Sequence, residues 1–462
     1  MLFSSISFLY IFLPAVLILY FIVPQKWRNG VLLVSSLLFY FFGEPIYVSL
    51  LIISSLSDFF HSLYIESHRG KRSAKVALIS SLIVNLGMLG FFKYADFFLG
   101  SINGVLGTSI PLFGVELPVG ISFFTFQTMS YTIDVYRGKA KAEKNLSTFA
   151  TFVCLFPQLV AGPIVRYTDV SRELHSRKET VEDVYLGIRR FVIGLGKKIL
   201  IANTMAEFIA HFRESNPSVG FYWLYTIAFC IQAYFDFSGY SDMAIGMGRI
   251  FGFKFPENFN YPFISKSVSE FWRRWHMTMG GWFRDYVYIP LGGSRCSKGR
   301  WIFNTFVVWA VTGLWHGAAW SFVLWGLFFG VVMIAEKLFL GKILEKLPNF
   351  LGHVYTIFMF LISMIIFNAE SMGQILSDLQ GFFGNAPLWT ADTTYYLKNY
   401  AVVFIIGIIG GTPLCKNLWG KISDRCKVLS AVAEPTYLLL ILIAVTACLL
   451  NGSLNPFMYF RF

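Results

Sequence analysis

Twelve apolar runs separated by short basic clusters constrain this chain more than any other feature. They lie at about residues 2–23, 31–43, 46–64, 76–92, 117–136, 185–210, 219–237, 301–318, 320–336, 351–369, 399–411 and 431–450, and two of them are short for a span. A helix needs ~20 apolar residues to cross ~30 Å of hydrocarbon, and in that medium the backbone must satisfy its own hydrogen bonds. With 56% hydrophobic and 14% charged residues and a mean hydropathy of +0.60, the composition falls outside the soluble range. The pattern predicts an all-α polytopic membrane protein with about 11–12 transmembrane helices plus re-entrant and amphipathic helices, in one integral-membrane domain over residues 1–462. The first run has no basic residue before it, so it reads as a retained span and not a cleaved signal.

The basic clusters Lys26/Arg28, Arg69/Lys71/Arg72/Lys75, Arg137/Lys139/Lys141/Lys144, Arg295/Lys298/Arg300 and Lys416/Lys421/Arg425/Lys427 mark inner-face loops and place both termini outside. The formal charge of +12 is thereby explained by topology, and nucleic-acid binding is not expected. Parity then requires 147–165, interrupted by Pro157, Gly162 and Pro163, to enter and leave on one side, which implies a re-entrant segment around an internal cavity. Residues 254–300, rich in charge and containing Pro256, Pro262 and Pro290, read as a long inner-face segment with amphipathic or partly inserted helices. The six cysteines are scattered without a CxxC pair, so neither a disulfide framework nor a zinc site is expected.

Chemistry is concentrated in one stretch. Eight of the twelve tryptophans fall between Trp272 and Trp325, interleaved with Arg273, Arg274, His276, Arg284, Asp285 and His316. An interfacial aromatic belt with snorkelling arginines explains most of this pattern. It does not explain His316, 16 residues beyond Arg300 and thus ~24 Å along a helix from the basic edge. An ionisable group at such depth is a functional candidate, and a neutral imidazole can take a hydroxyl proton near pH 7. Two other polar patterns stand out. Gln127, Tyr131 and Asp134 share one helix face, as lining for a substrate tunnel or as interhelical hydrogen-bonding groups. Asp236/Tyr240 and Ser238/Asp242 are i, i+4 pairs whose carboxylates should be paired, face water or support a histidine.

The succession Asp236-Phe237-Ser238-Gly239-Tyr240-Ser241-Asp242, Glu270-Phe271-Trp272-Arg273-Arg274-Trp275-His276, Trp282-Phe283-Arg284-Asp285-Tyr286, Ile289-Pro290-Leu291-Gly292-Gly293 and Gly313-Leu314-Trp315-His316-Gly317 resembles the membrane-bound O-acyltransferase (MBOAT) family. Within that family it is similar to the AlgI-like bacterial branch, typified by the membrane subunit of alginate O-acetyltransferase. Val119 to Gln127 with Tyr131 and Asp134, Phe156 to Ile164, and the terminal Asn455 to Phe462 carry the same likeness, which is strongest over about 110–335. The resemblance implies a fold around a central tunnel, with His316 as the catalytic residue, either general base or acyl-accepting nucleophile. It implies His276 as a second site residue that orients the acceptor, polarises the acyl carbonyl or completes the site. Arg273 and Arg274 become contacts for a donor phosphate or membrane anchors. Gln127, Tyr131, Asp134, Asp236, Tyr240, Asp242, Trp275, Asp285 and Trp315 become candidate substrate or supporting residues, with no metal ligand among them.

By the same resemblance the chain relays acetyl groups from a cytosolic thioester donor, acetyl-CoA or an acyl carrier protein, for O-acetylation of an exopolysaccharide or cell-wall glycan such as alginate. An extracytoplasmic SGNH-type partner would complete the transfer outside a bacterial inner membrane, with membrane lipids as surroundings and no bound cofactor. The alternatives are a D-alanyl transfer protein of the DltB type, a polytopic transporter or flippase, and an envelope scaffold.

Overall fold

A computed structural model describes residues 2–215, 217–452 and 455. Every described regular element is helical, and each of the twelve apolar runs is carried by a helix. Among the described residues, five helices are long and apolar enough to cross a membrane: Val48–Ser67, Arg72–Leu106, Trp320–Leu344, Asn349–Asn368 and Lys427–Leu450. Ala391–Gly410 and Leu414–Arg425, bent by 71°, would together make a sixth. The other runs form helices that are shorter or that carry buried polar and charged side chains, so among the described residues fewer elements read as spans by length and apolarity than the 11–12 expected. The short run at 399–411 is the end of a 20-residue helix that begins at Ala391.

The chain divides into two compact units, one of Met1–Phe191 with Met243–Pro256 and the other of Val192–Asp242 with Glu257–Phe462.

In the first unit, α1 (Val48–Ser67), α2 (Arg72–Leu106) and α3 (Ile121–Tyr136) pack together. Their contact faces carry polar side chains at helical spacing: Ser54, Asp58 and Ser62 on α1, Ser81 and Asn85 on α2, and Thr128 and Thr132 on α3, all fully buried. Asp58, at mid-length of its span, accepts from Ser81 Oγ (2.6 Å) and Asn85 Nδ2 (2.7 Å). Asn85 Oδ1 in turn accepts from Ser54 Oγ and Thr128 Oγ1, both at 3.1 Å. A carboxylate removed from water is tolerable here because donors on a neighbouring helix saturate it.

The segment expected to be re-entrant is a buried broken helix. Leu146–Cys154 is capped by Asn145 Oδ1, which accepts from Ser147 N (2.9 Å) and Thr148 N (3.2 Å). Backbone at Leu155 then turns extended before the single turn Phe156–Leu159, and 151–165 are buried without exception. Gly120 precedes α3 with φ +79°, and a Cβ there would lie 2.8 Å from Leu159 O, so two of the sequence motifs meet at a site only glycine fits.

In the second unit, α4 (Lys298–His316) and α5 (Trp320–Leu344) form an antiparallel pair. They approach closely because a Cβ at Gly313 would lie 2.2 Å from Phe322 O, and one at Gly326 would lie 2.2 Å from Trp309 O. Next to α5 lies α6 (Asn349–Asn368). The segment 257–297 is built from short helices, Val268–Trp272, Met277–Phe283 and the wide turn Arg284–Tyr288, as expected for the polar stretch between spans. Glu336 on α5 fixes that segment by accepting from Val268 N (2.7 Å), Ser269 N (2.8 Å) and Ser269 Oγ (2.5 Å), which satisfies the free N–H groups at the start of a helix. Of the terminal motif, Asn455 Oδ1 accepts from Asn203 Nδ2 at 3.2 Å, while residues 456–462 lie outside the described residues.

Candidate active site

His316 is the last residue of α4. The sequence placed it within a membrane helix, but the helix stops there, since Gly317 is extended and Ala318 and Ala319 lead into α5. Termination has a physical basis: a Cβ at Gly317 would lie 2.2 Å from the Phe322 ring, so the turn has room for glycine alone. The imidazole is 6% exposed and sits in an aromatic cage. Its ring centroid lies 4.9 Å from Trp325, 5.1 Å from Trp315 and 5.5 Å from Phe367, each in an edge-to-face arrangement.

His276 reaches the same place from the other direction. It is fully buried, with its ring 5.8 Å from Trp315 and 4.6 Å from Phe237, so both imidazoles pack on Trp315. The residue sits at the turn before Met277–Phe283 with φ +46°, a left-handed conformation that few residues other than glycine adopt. Asn258 holds it there. Its backbone carbonyl accepts from Met277 N (2.9 Å), and its Oδ1 accepts from Thr278 Oγ1 (2.9 Å) and Thr278 N (3.3 Å).

The same Oδ1 lies 3.0 Å from His276 Nδ1. Because Thr278 N can only donate, that side-chain atom is an acceptor, and Nδ1 must carry the proton. Nε2 then presents a lone pair, and this buried atom has no hydrogen-bond partner among the described residues. Burial first, and the nearby His316 second, hold the imidazole well below the ordinary histidine range, so it is neutral at pH 7.

Next to this pair is a cavity of about 730 Å³, lined by Trp272, Arg273, Met277, Trp309, Thr312 and Lys337 among others. Thr312, at its wall, is one helical turn before His316, and Met277 follows His276 in the chain; the two histidines themselves are not among the residues that line it.

The remaining sequence candidates fall elsewhere. Arg273 lines the cavity, whereas Arg274 is tied to Glu270 (2.9 Å) and to Asn260 O (3.2 Å), which makes it a local brace. Trp275 belongs to the core between Phe271 and Phe360. Asp285 pairs with Arg284 at 2.7 Å. Asp236 and Asp242 are ion-paired with Lys198 (2.6 Å) and Lys197 (2.7 Å), and Tyr240 is buried. Both carboxylates are thus ion-paired with lysines of a different element.

In the first unit, Tyr131 Oη lies 3.0 Å from Ser62 Oγ and accepts from Glu143 N (2.8 Å), the interhelical alternative of the two readings. Asp134 is buried on the same helix. Gln127 is fully buried with both amide atoms unpartnered among the described residues.

Sequence reasoning missed Asn258, Trp325 and Phe367. Asn258 lies in irregular chain 18 residues from His276, and the aromatic residues have no distinguishing spacing.

Two imidazoles on one indole, one of them neutral with a free lone pair, make an arrangement that can accept a proton during group transfer. The membrane-bound O-acyltransferase family model matches residues 139–372. The chain is 36% identical to a protein of Azotobacter vinelandii named "Probable alginate O-acetylase AlgI", with all of both chains covered. It is 41% identical to a Pseudomonas aeruginosa protein of the same name over 80% of this chain and 73% of the relative. It is 33% identical to the peptidoglycan O-acetyltransferase of Helicobacter pylori over 83% and 80%. This chain belongs to the membrane-bound O-acyltransferase family and is an O-acyltransferase.

Proposed function

We propose that the protein takes an acetyl group from a cytosolic thioester and passes it toward a hydroxyl of an extracellular or cell-wall glycan, across the bacterial inner membrane. The observation that carries this reading is the buried His316 at the end of α4, one helical turn from a cavity with a basic rim. His316 is the proton acceptor. As the hydroxyl oxygen bonds to the acyl carbon, its proton moves to the imidazole, and the thiolate leaves and recovers that proton. His276 orients the attacking hydroxyl. With Nδ1–H already committed to Asn258, its neutral ring offers only the Nε2 lone pair, which can accept from a hydroxyl but cannot donate to a carbonyl.

The donor is acetyl-CoA or an acetylated carrier protein, whose phosphates suit Arg273, Arg284 and Lys337 around the cavity. An acetyl group and a glycan acceptor are supported by the names of the relatives in Azotobacter, Pseudomonas and Helicobacter. An extracytoplasmic SGNH-type enzyme is the expected partner that completes transfer to the polymer.

The test is to express wild type and His316→Ala with the neighbouring envelope genes and to measure ester-linked acetate on surface polymers. Loss of a positioned general base removes about 10²–10⁴-fold in rate. Bound acetate should fall to the background of cells lacking the gene while protein in the membrane stays level. Equal acetate in both strains would reject the assignment.

A further inference from the structure

The reaction at His316 creates a charge that the two histidines cannot receive. When the hydroxyl attacks, the carbonyl electrons move onto the acyl oxygen, and this oxyanion needs a hydrogen-bond donor already in place. His316 is taking a proton at that moment, and the neutral His276 presents a lone pair at Nε2.

A donor does lie beside the imidazole. Trp325 is 2% exposed, with its indole 4.9 Å from the His316 ring at an interplanar angle of 85°. Its Nε1–H is buried and finds no acceptor among the described residues. An indole nitrogen only donates, and buried donors without acceptors are rare in folded proteins.

The surroundings make this orphan group more telling. Trp325 belongs to an aromatic layer in which its ring lies 5.6 Å from Trp272, which lines the cavity, and 5.2 Å from Phe367, which also touches His316. The Nε1–H of Trp272 is likewise buried without an acceptor. Two unsatisfied indole donors thus share one aromatic cluster, Trp272 at the wall of the cavity and Trp325 against the imidazole.

We propose that Trp325 is a catalytic residue whose Nε1–H donates to the acyl carbonyl oxygen as it becomes the oxyanion of the tetrahedral intermediate. The assignment rests on the reading of His316 as proton acceptor. The step balances: the hydroxyl oxygen bonds to the acyl carbon, the carbonyl pair moves to oxygen beneath the indole N–H, and the hydroxyl proton goes to His316. Collapse of the intermediate restores the carbonyl, expels the thiolate and returns that proton to sulfur, leaving an ester and a thiol.

The experiment replaces Trp325 with 3-benzothienylalanine by amber suppression, which keeps the bicyclic outline and exchanges N–H for sulfur. Cells carrying wild type, this variant, Trp325→Phe or His316→Ala, each with the neighbouring envelope genes, are compared for the initial rate of ester-linked acetate formation per folded protein. Removing one oxyanion donor lowers the rate by about 100-fold, and a loss of about tenfold or more in the benzothienyl variant supports the proposal. A smaller loss overturns it and leaves Trp325 as an aromatic wall. Should the benzothienyl protein fail to accumulate, Trp325→Phe is judged by the same threshold. Wild-type acetylation by His316→Ala would instead refute the reading of the site, an outcome distinct from either result at Trp325.

Discussion

Two polar regions, one in each unit, are buried in opposite ways. Around Asp58 in the first unit, carboxylate, amide and hydroxyl groups on three helices answer one another, so the polar seam is saturated from within. In the second unit, the Nε2 lone pair of His276 and the indole N–H groups of Trp272 and Trp325 are buried with no protein partner among the described residues. A saturated seam holds helices in register where lipid supplies no hydrophobic drive between them. Unsatisfied groups destabilise the resting protein and persist where a passing substrate supplies the missing partner. By this criterion the first seam is structural and the second region is chemical.

The largest expected effect breaks the structural side of the contrast. Asp58→Leu removes the acceptor of Ser81 Oγ–H and Asn85 Nδ2–H, which keep Thr132 Oγ1 (3.2 Å) and Ser81 O (3.0 Å); with ~1–3 kcal/mol as the ceiling for each buried donor, thermal denaturation in detergent should show a loss of up to about 6 kcal/mol. Asp58→Asn keeps one acceptor and should lose less. In both variants acetylation per folded molecule should stay at the wild-type level. A selective fall in activity with normal melting would place Asp58 in the chemistry and erase the distinction between the units.

A smaller stability effect with a larger catalytic one is expected at Asn258. Alanine there removes the acceptor shared by Thr278 and His276, costing about 1–3 kcal/mol. It also releases the bond that fixes which ring nitrogen of His276 is protonated. Ester-linked acetate per folded molecule should therefore drop, unlike at Asp58. Unchanged turnover would show that the tautomer of His276 is irrelevant.

Much of this was legible along the chain, and the reason is geometric. A helix repeats its environment every 3.6 residues, so apolar runs and the 254–300 stretch announce themselves locally, as does a histidine between Trp315 and Gly317. The polar seam left only a trace, the four-residue spacing of Ser54, Asp58 and Ser62, because its partners lie on other helices. Asp236 and Asp242 were noticed as pairs on one helix, but the charges that answer them, Lys198 and Lys197, lie on a different element. Trp325 is one aromatic among many until coordinates reveal that its N–H lacks an acceptor. Local periodicity is written in sequence, whereas the satisfaction of a buried donor is a property of tertiary contact.

The smallest effect concerns pH and sharpens the chemical side. Folding holds His276 neutral, because burial and the neighbouring His316 push its protonation well below the ordinary range. In the unfolded chain that ring binds a proton below about pH 6.5. Between those two conditions the unfolded state carries more protons, so stability rises with pH there and is complete above the unfolded value. Acidifying from pH 8 toward pH 5 should lower the melting temperature, and His276→Gln should flatten that dependence by removing the group that resists charging. Glutamine can still donate to Asn258 Oδ1 through its amide, so the variant separates loss of titration from loss of the hydrogen bond. An equally steep decline in wild type and variant would assign the acid sensitivity to other groups and deprive the neutral His276 of its thermodynamic signature.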